Sequence, residues 1–348
     1  MVEGVRSEGP GTDTRPRPAR TRHVGIDVLR VVGLVAVAAG HLWGAVDGQP
    51  NTVRMLTFSW QVPLFFFLSG YFWTPGRPLA GEVSSRARSL LVPFLAWTLT
   101  LGVIVFGPGA LHGGPPFAEI GKLVWGGGVV RGWFAPYWFL PILFASAVLY
   151  RWLESRVSWP VTVGIATAGL VLCYVTGEAL SHVPHDLFFA VPCLLFMLAG
   201  RGLRVVEPRI PVPGLLGALA LAVSLALVLT RVSAPLDMKL GDFGTPVLSV
   251  LVACLICGGL LLVTKAVVPA SLPEPVGGLT TEAGQTLVVV LLTHTFFFQW
   301  YRDAGLPSPA VFALSLVSSM ALGILLHRTP LSRWYVGIPR KRADRVRR

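Results

Sequence analysis

Residues Val24 to Val46 read VGIDVLRVVGLVAVAAGHLWGAV. The run is long enough to cross the hydrocarbon core of a bilayer, which takes roughly 20 apolar residues. It nevertheless carries Asp27, Arg30 and His41. An ionisable group inside such a segment is costly, faces the protein interior and marks function by default. Eleven residues make about three helical turns, so Arg30 and His41 fall within roughly 20° of one face, about 16 Å apart along the axis. One face therefore presents a fixed cation near one membrane surface and a titratable imidazole nearer the middle. Asp27 precedes Arg30 by three residues, a spacing that lets the two pair on a helix. The structural alternatives are a snorkelling arginine at a helix end and a histidine hydrogen-bonded between helices.

The rest of the chain agrees with a membrane reading. Mean hydropathy is +0.66, and 13% of residues are charged, where a soluble domain carries about 25%. Apolar residues come in blocks of roughly 17 to 24 rather than in a one-sided stripe. About ten spans are predicted, at 24–46, 52–74, 87–107, 136–152, 159–176, 186–204, 213–231, 245–268, 283–301 and 308–327. The expected fold is an all-α integral membrane protein, a bundle of about ten transmembrane helices with cytoplasmic N- and C-termini. Residues 1–23 are expected to form a disordered basic cytoplasmic tail, 24–338 the transmembrane domain, and 339–348 a second basic tail.

Charge placement sets that orientation. With the N-terminus inside, the cytoplasmic segments collect Arg15, Arg17, Arg20, Arg77, Arg86, Arg88, Arg151, Arg201, Arg204, Lys265, Arg328 and the basic C-terminus. The outer loops hold only Lys122, Arg131, Arg231, Lys239 and Arg302, with Arg54 at the outer end of the second span. This is the positive-inside pattern, so the net charge of +12 reads as topology. Nucleic acid is not an expected partner, since no recognisable binding module accompanies the basic tails. Ala36-Val37-Ala38 resembles a signal cleavage site, but the apolar run continues past it, and an uncleaved first helix is the better reading.

Several local features carry less specific chemistry. VPLFFFLSGYFW (Val62 to Trp73) contains Pro63, which opens the helix backbone, and Ser69-Gly70, which permits close helix approach. Arg86 and Arg88, in SSRARSLLVPFLAW (Ser84 to Trp97), sit where they could meet phosphates or serve as ordinary cytoplasmic anchors. His294 is a second intramembrane imidazole. The stretch from Pro108 to Ala135 is the longest non-spanning loop, and its Gly and aromatic content suits a cap over a site. Its segment Phe117 to Val124 is amphipathic enough to lie at the interface. His182, His185 and Asp186 read as solvated loop residues. Cys254 and Cys257 form a C-x-x-C in mid-helix, read as small packing residues, and neither a metal nor a disulfide is expected. Phosphate-loop, dinucleotide, nucleophile-elbow and zinc-protease motifs do not occur.

Taken in order, these motifs resemble the membrane-bound acyltransferase-3 family, O-acetylases of cell-surface glycans and acylases that tailor antibiotics. The likeness rests on Asp27, Leu29, Arg30 and His41; Phe66, Phe67, Ser69 and Gly70; Arg86, Arg88 and Leu90 to Phe94; Trp138 to Leu140; and Leu292 to His294. It runs from about residue 24 to 338. The basic pair departs from the frequent Arg-x-x-Arg spacing, and Thr293 stands where an aromatic or Leu is common.

The resemblance implies an acyl-CoA-dependent O-acyltransferase of the cytoplasmic membrane. It would move an acyl group, acetyl first among candidates, to a hydroxyl of a surface glycan or other carbohydrate. His41 would act as general base or, as the alternative, as a covalent acyl relay; Arg30 held by Asp27 would orient the CoA end or steady developing charge, and Arg86 and Arg88 would meet CoA phosphates. Ser69 and His294 would position thioester or acceptor. The implied partners are acyl-CoA, the acceptor and the bilayer, with a homo-oligomer left open. Acylation of a small metabolite such as an antibiotic sugar is the alternative within the class. A multi-pass transporter is the alternative outside it, though carriers show internal repeats that this chain lacks.

Overall fold

A computed structural model describes residues 23–46, 49–114 and 116–341. The expected disordered tail at 1–22 and the last residues, 342–348, lie outside the described residues. The chain is a bundle of helices: α1 Val24–Trp43, α2 Thr52–Phe58, α3 Gln61–Tyr71, α4 Leu79–Arg86, α5 Val92–Gly113, α6 Phe117–Trp125, α7 Phe139–Glu154, α8 Trp159–Thr176, α9 Ala190–Val206, α10 Pro213–Leu229, α11 Leu248–Val267, α12 Val276–Gln285, α13 Leu287–Asp303, α14 Ser308–His327 and α15 Ser332–Tyr335. The strand content among the described residues is one two-residue antiparallel pairing after α1, Ala45–Val46 with Gln49–Pro50.

This is a helical, multi-pass membrane protein. Among the described residues seven segments are long and apolar enough to cross a bilayer, and α12 with α13, bent by 73°, makes an eighth if taken as one span. The shortfall from the ten expected spans has local causes. The expected second span is broken into α2 and α3. Pro63 has no N–H to give to the carbonyl four residues back, at Ser59, and the helix parts at Ser59-Trp60. The expected seventh span, α10, is apolar but has 17 residues. The third is longer than expected, because α4 runs into α5 through a π-helical turn at Ala87–Leu91.

Proline also marks one end of the bundle. Pro63, Pro141 and Pro192 are each the third residue of their helix, in α3, α7 and α9. There the missing N–H falls among donors that have no partner within the helix anyway. The Ser69-Gly70 expectation is met: a Cβ on Gly70 would collide with the Met197 carbonyl of α9, and one on Gly200 with the Phe67 carbonyl of α3. Without side chains at these two places, the backbones of α3 and α9 come into direct contact.

His41 lies in the last turn of α1, not near its middle. The helix ends at Trp43, three residues earlier than the apolar run. Asp27 and Arg30 lie at one end of α1 and His41 at the other.

Candidate active site

The His41 end of the bundle holds a partly open cavity of about 230 Å³. Its walls come from six segments distant in sequence. α1 supplies Val37 and His41, α2 supplies Arg54 and Phe58, and the first turns of α3 supply Gln61, Val62 and Phe65. The loop before α7 supplies Arg131, Gly132, Ala135, Pro136 and Trp138. Asp237 and Lys239 come from the connection between α10 and α11, and Leu291 from α13.

His41 presents its ring to this cavity and is exposed within it. Behind it lies His294 of α13, with ring centroids 5.4 Å apart. His294 is fully buried. Its Nδ1 lies 2.9 Å from both the Val290 and the Leu291 carbonyl oxygens. Carbonyls only accept, so Nδ1 carries the proton and Nε2 keeps a bare lone pair. That Nε2 is buried and has no hydrogen-bond partner among the described residues. Phe298 closes the other side of the ring, 5.3 Å away.

The cation positions are built with care. Arg54 Nη2 donates to Asp237 Oδ2 at 2.5 Å, and its guanidinium lies over the Phe58 ring at 4.1 Å. Asn51 caps α2 by accepting from the Arg54 N–H, which fixes where that arginine starts. Lys239 Nζ donates to the Val130 and Ala135 carbonyls, the second at 3.3 Å. It thereby staples the loop that carries Arg131 over the cavity. Thr295 Oγ1 holds the same loop through the Trp133 carbonyl at 2.7 Å. Asp186, fully buried, accepts from Gly128 N–H at 3.0 Å. The capping role expected for the long loop thus falls on its C-terminal part. Its amphipathic segment forms α6, none of whose described residues is buried. Burial lowers the Lys239 ammonium from 10.5 to about 8; Asp237 and Asp186 oppose the shift and Arg131 adds to it.

The other expected site residues lie elsewhere. Asp27, 1% exposed, pairs with Arg30 at 3.4 Å, and the Arg30 guanidinium lies 5.3 Å over Phe72. Along α1 this pair is about 16 Å from His41. Arg86 donates to buried Glu82 at 2.8 Å, which also binds Arg77 at 3.2 Å and Arg151 at 3.5 Å. Arg151 is near the far end of α7, whose first residue, Phe139, lines the cavity, about 18 Å away by helix rise. Arg88 is exposed and donates to the Ser84 carbonyl. The Ser69 hydroxyl, in the second half of α3, is buried without a partner among the described residues. The structure therefore brings His41 and His294 together, and it gathers Asp27, Arg30, Arg86 and Arg88 at the opposite end.

A model of an acyltransferase domain matches residues 23–328. The chain belongs to the acyltransferase 3 family. No curated protein and no solved structure matches it significantly. In this acyltransferase 3 member, the motif residues quoted from the sequence all fall inside the matched region. Among the described residues no group of three or more His, Cys, Asp or Glu is placed to hold a metal ion. The four cysteines are free thiols, and Cys257 packs its sulfur toward the Trp60 carbonyl at 3.8 Å. Asp186 is buried rather than solvated as expected, and His185 and Asp186 pack on the loop at Gly126 and Gly127, where an added Cβ would collide with their side chains. The side chain of His182 lies outside the described residues.

Sequence reasoning did not assign Gln61, Asp237, Arg54, Arg131 or Lys239 to the site of this acyltransferase. A signal existed for the cations. All three belong to the few basic residues that the positive-inside pattern leaves on the outer side.

Proposed function

We propose that this protein is an integral membrane O-acyltransferase of the cytoplasmic membrane, transferring an acyl group, acetyl first among candidates, from acyl-CoA to a carbohydrate hydroxyl. The observation that carries the reading is His41: an imidazole facing a partly open cavity and backed by a second imidazole with a bare, buried nitrogen.

The chemistry follows from that arrangement. An acceptor hydroxyl in the cavity gives its proton to the lone pair of His41 as the oxygen attacks the thioester carbonyl. A C–O bond forms and the carbonyl becomes an oxyanion. When the oxyanion collapses, the C–S bond breaks, and the departing CoA sulfur takes the proton back from His41. His294 is the positioning residue. Its Nε2 lies in the ring beside His41 without a partner among the described residues, and an N–H of His41 turned toward it would leave the other His41 nitrogen with its lone pair for the acceptor.

The basic residues support a cytoplasmic N-terminus, which puts the Asp27–Arg30 pair on the donor side and the cavity on the outer half. On this reading Arg30 and the exposed Arg88 serve the nucleotide end of acyl-CoA, Arg86 being held by Glu82, and the thioester reaches His41. Ser69 lies along the way, on the helix whose first residue, Gln61, lines the cavity. An outward-facing cavity favours a surface glycan over a cytoplasmic metabolite as acceptor. Its volume is below the roughly 300–1,000 Å³ of drug-sized pockets, and it suits one sugar ring at a time.

The test is transfer of radiolabel from acetyl-CoA to added glycans by purified membranes, with the native chain and His41→Ala at matched expression. Loss of about 10²- to 10⁴-fold in the variant is the expected result. Equal transfer by both would overturn the assignment of His41.

A further inference from the structure

The cavity that holds His41 carries an excess of positive charge that acyl transfer to a neutral sugar does not need. Arg54, Arg131 and Lys239 line it, against the single carboxylate of Asp237. That carboxylate is already engaged by Arg54 at 2.5 Å. Lys239 is bonded to two carbonyl oxygens, which orient an ammonium without neutralising it, and one of its three donors remains. Asp186 lies buried behind the same loop and offsets part of the charge, but it does not line the cavity. The Arg131 side chain is exposed and has no hydrogen-bond or ion-pair partner among the described residues. A guanidinium and an ammonium facing one small cleft with apolar walls attract an anion more strongly than they would in open water.

The placement is a second observation, independent of the count. Basic residues are scarce in the segments assigned to the outer side, yet three of them converge on this one cavity. At the Asp27 end Arg77, Arg86 and Arg151 share Glu82, Arg151 and Arg201 share Glu154, and Arg328 and Lys341 share Glu282. Those cations each reach a carboxylate, whereas the Lys239 ammonium is held by carbonyl oxygens.

We propose that the cavity binds an anionic group of the acceptor, a carboxylate or phosphate on the sugar, through Arg131 and Lys239, with Arg54 held behind them by Asp237. The proposal rests on the acyl-transfer reading for the word acceptor, but the anion site itself does not.

The experiment is equilibrium binding to the purified full chain in lipid nanodiscs, without acyl donor. The probes are glucuronate and glucose 6-phosphate, with glucose as the uncharged comparison and acetyl-CoA titrated separately. Both charged sugars are expected to bind at least about tenfold more tightly than glucose, the scale of one charge-assisted contact. Arg131→Gln, which disturbs no structural bond, should remove most of that preference, and Arg131→Lys should restore part of it. Acetyl-CoA affinity should be the same in all three proteins. Absence of any preference overturns the proposal, as does a preference that survives Arg131→Gln. An acetyl-CoA affinity that falls with Arg131→Gln also overturns it, because the cations would then serve donor phosphates. Since no donor is present during the sugar titrations, the preference is read whether or not His41 proves to be the base.

Discussion

The His41 imidazole lies against that of His294, ring centroids 5.4 Å apart and planes tilted by 46°. One ring is open to the cavity and the other is wholly enclosed. The enclosed ring is fixed by α13 itself, through the carbonyls at Val290 and Leu291. A rigid imidazole behind a reactive one is a means of choosing its tautomer without adding charge.

Replacing His294 by Phe should therefore lower kcat by about 10- to 100-fold with little change in the acceptor KM. The aromatic replacement keeps the space filled and removes the lone pair together with the Nδ1–H that bonds the Val290 and Leu291 carbonyls. Steady-state kinetics beside a thermal-stability measurement checks this. A variant with lowered stability and unchanged kcat would show His294 to be packing alone.

Lys239 makes the cavity sensitive to alkaline pH. Burial holds its ammonium at about 8, so the charge is complete at pH 7 and mostly gone by pH 9.5. Affinity for a charged sugar should fall several-fold over that interval, while affinity for glucose stays flat. The effect on folding has the opposite sign. The unfolded lysine holds its proton up to 10.5, so the cost of burying the charge is full below pH 8 and is relieved as pH rises from about 8 to 10.5. Binding titrations and melting temperatures at matched pH separate the two.

Glu82 is 2% exposed and joins Arg77, Arg86 and Arg151. Glu82→Gln should cost about 3 kcal/mol, because buried Arg151 loses a compensating charge. A drop in melting temperature with the acyl-CoA KM held constant is expected. By contrast, Arg88→Ala should raise the acyl-CoA KM and leave stability unchanged, since Arg88 is exposed and bonded only to the Ser84 carbonyl.

Gly70 and Gly200 set the approach of α3 to α9. Gly200→Ala should destabilise the protein by about 1–3 kcal/mol, since the added methyl meets the Phe67 carbonyl and backbone must shift. Gly202→Ala on the same helix has open space around it and serves as the control. Melting temperatures in one detergent compare the two.

What the sequence by itself determined was local or periodic. Apolar blocks of bilayer length announced a multi-span helical protein, and the helix period put Arg30 and His41 on one face. The order of short motifs pointed to the family that residues 23–328 match. Pro63 was legible as an opening in the helix, though not as a full break at Ser59-Trp60. Arg86 was read as free for phosphate, because the spacing within one helix does not reveal that Glu82 is buried among three arginines. Only the tertiary structure decided the contents of the cavity. Arg54, Arg131 and Lys239 sit on separate segments, and no periodicity relates them. They meet His41 because α1, α2, α3 and α7 bring their ends to one place and because Lys239 and Thr295 tie the intervening loop down by its carbonyls. Helix geometry propagates along the chain and can be read there, whereas charges gathered from distant loops are placed by packing across it.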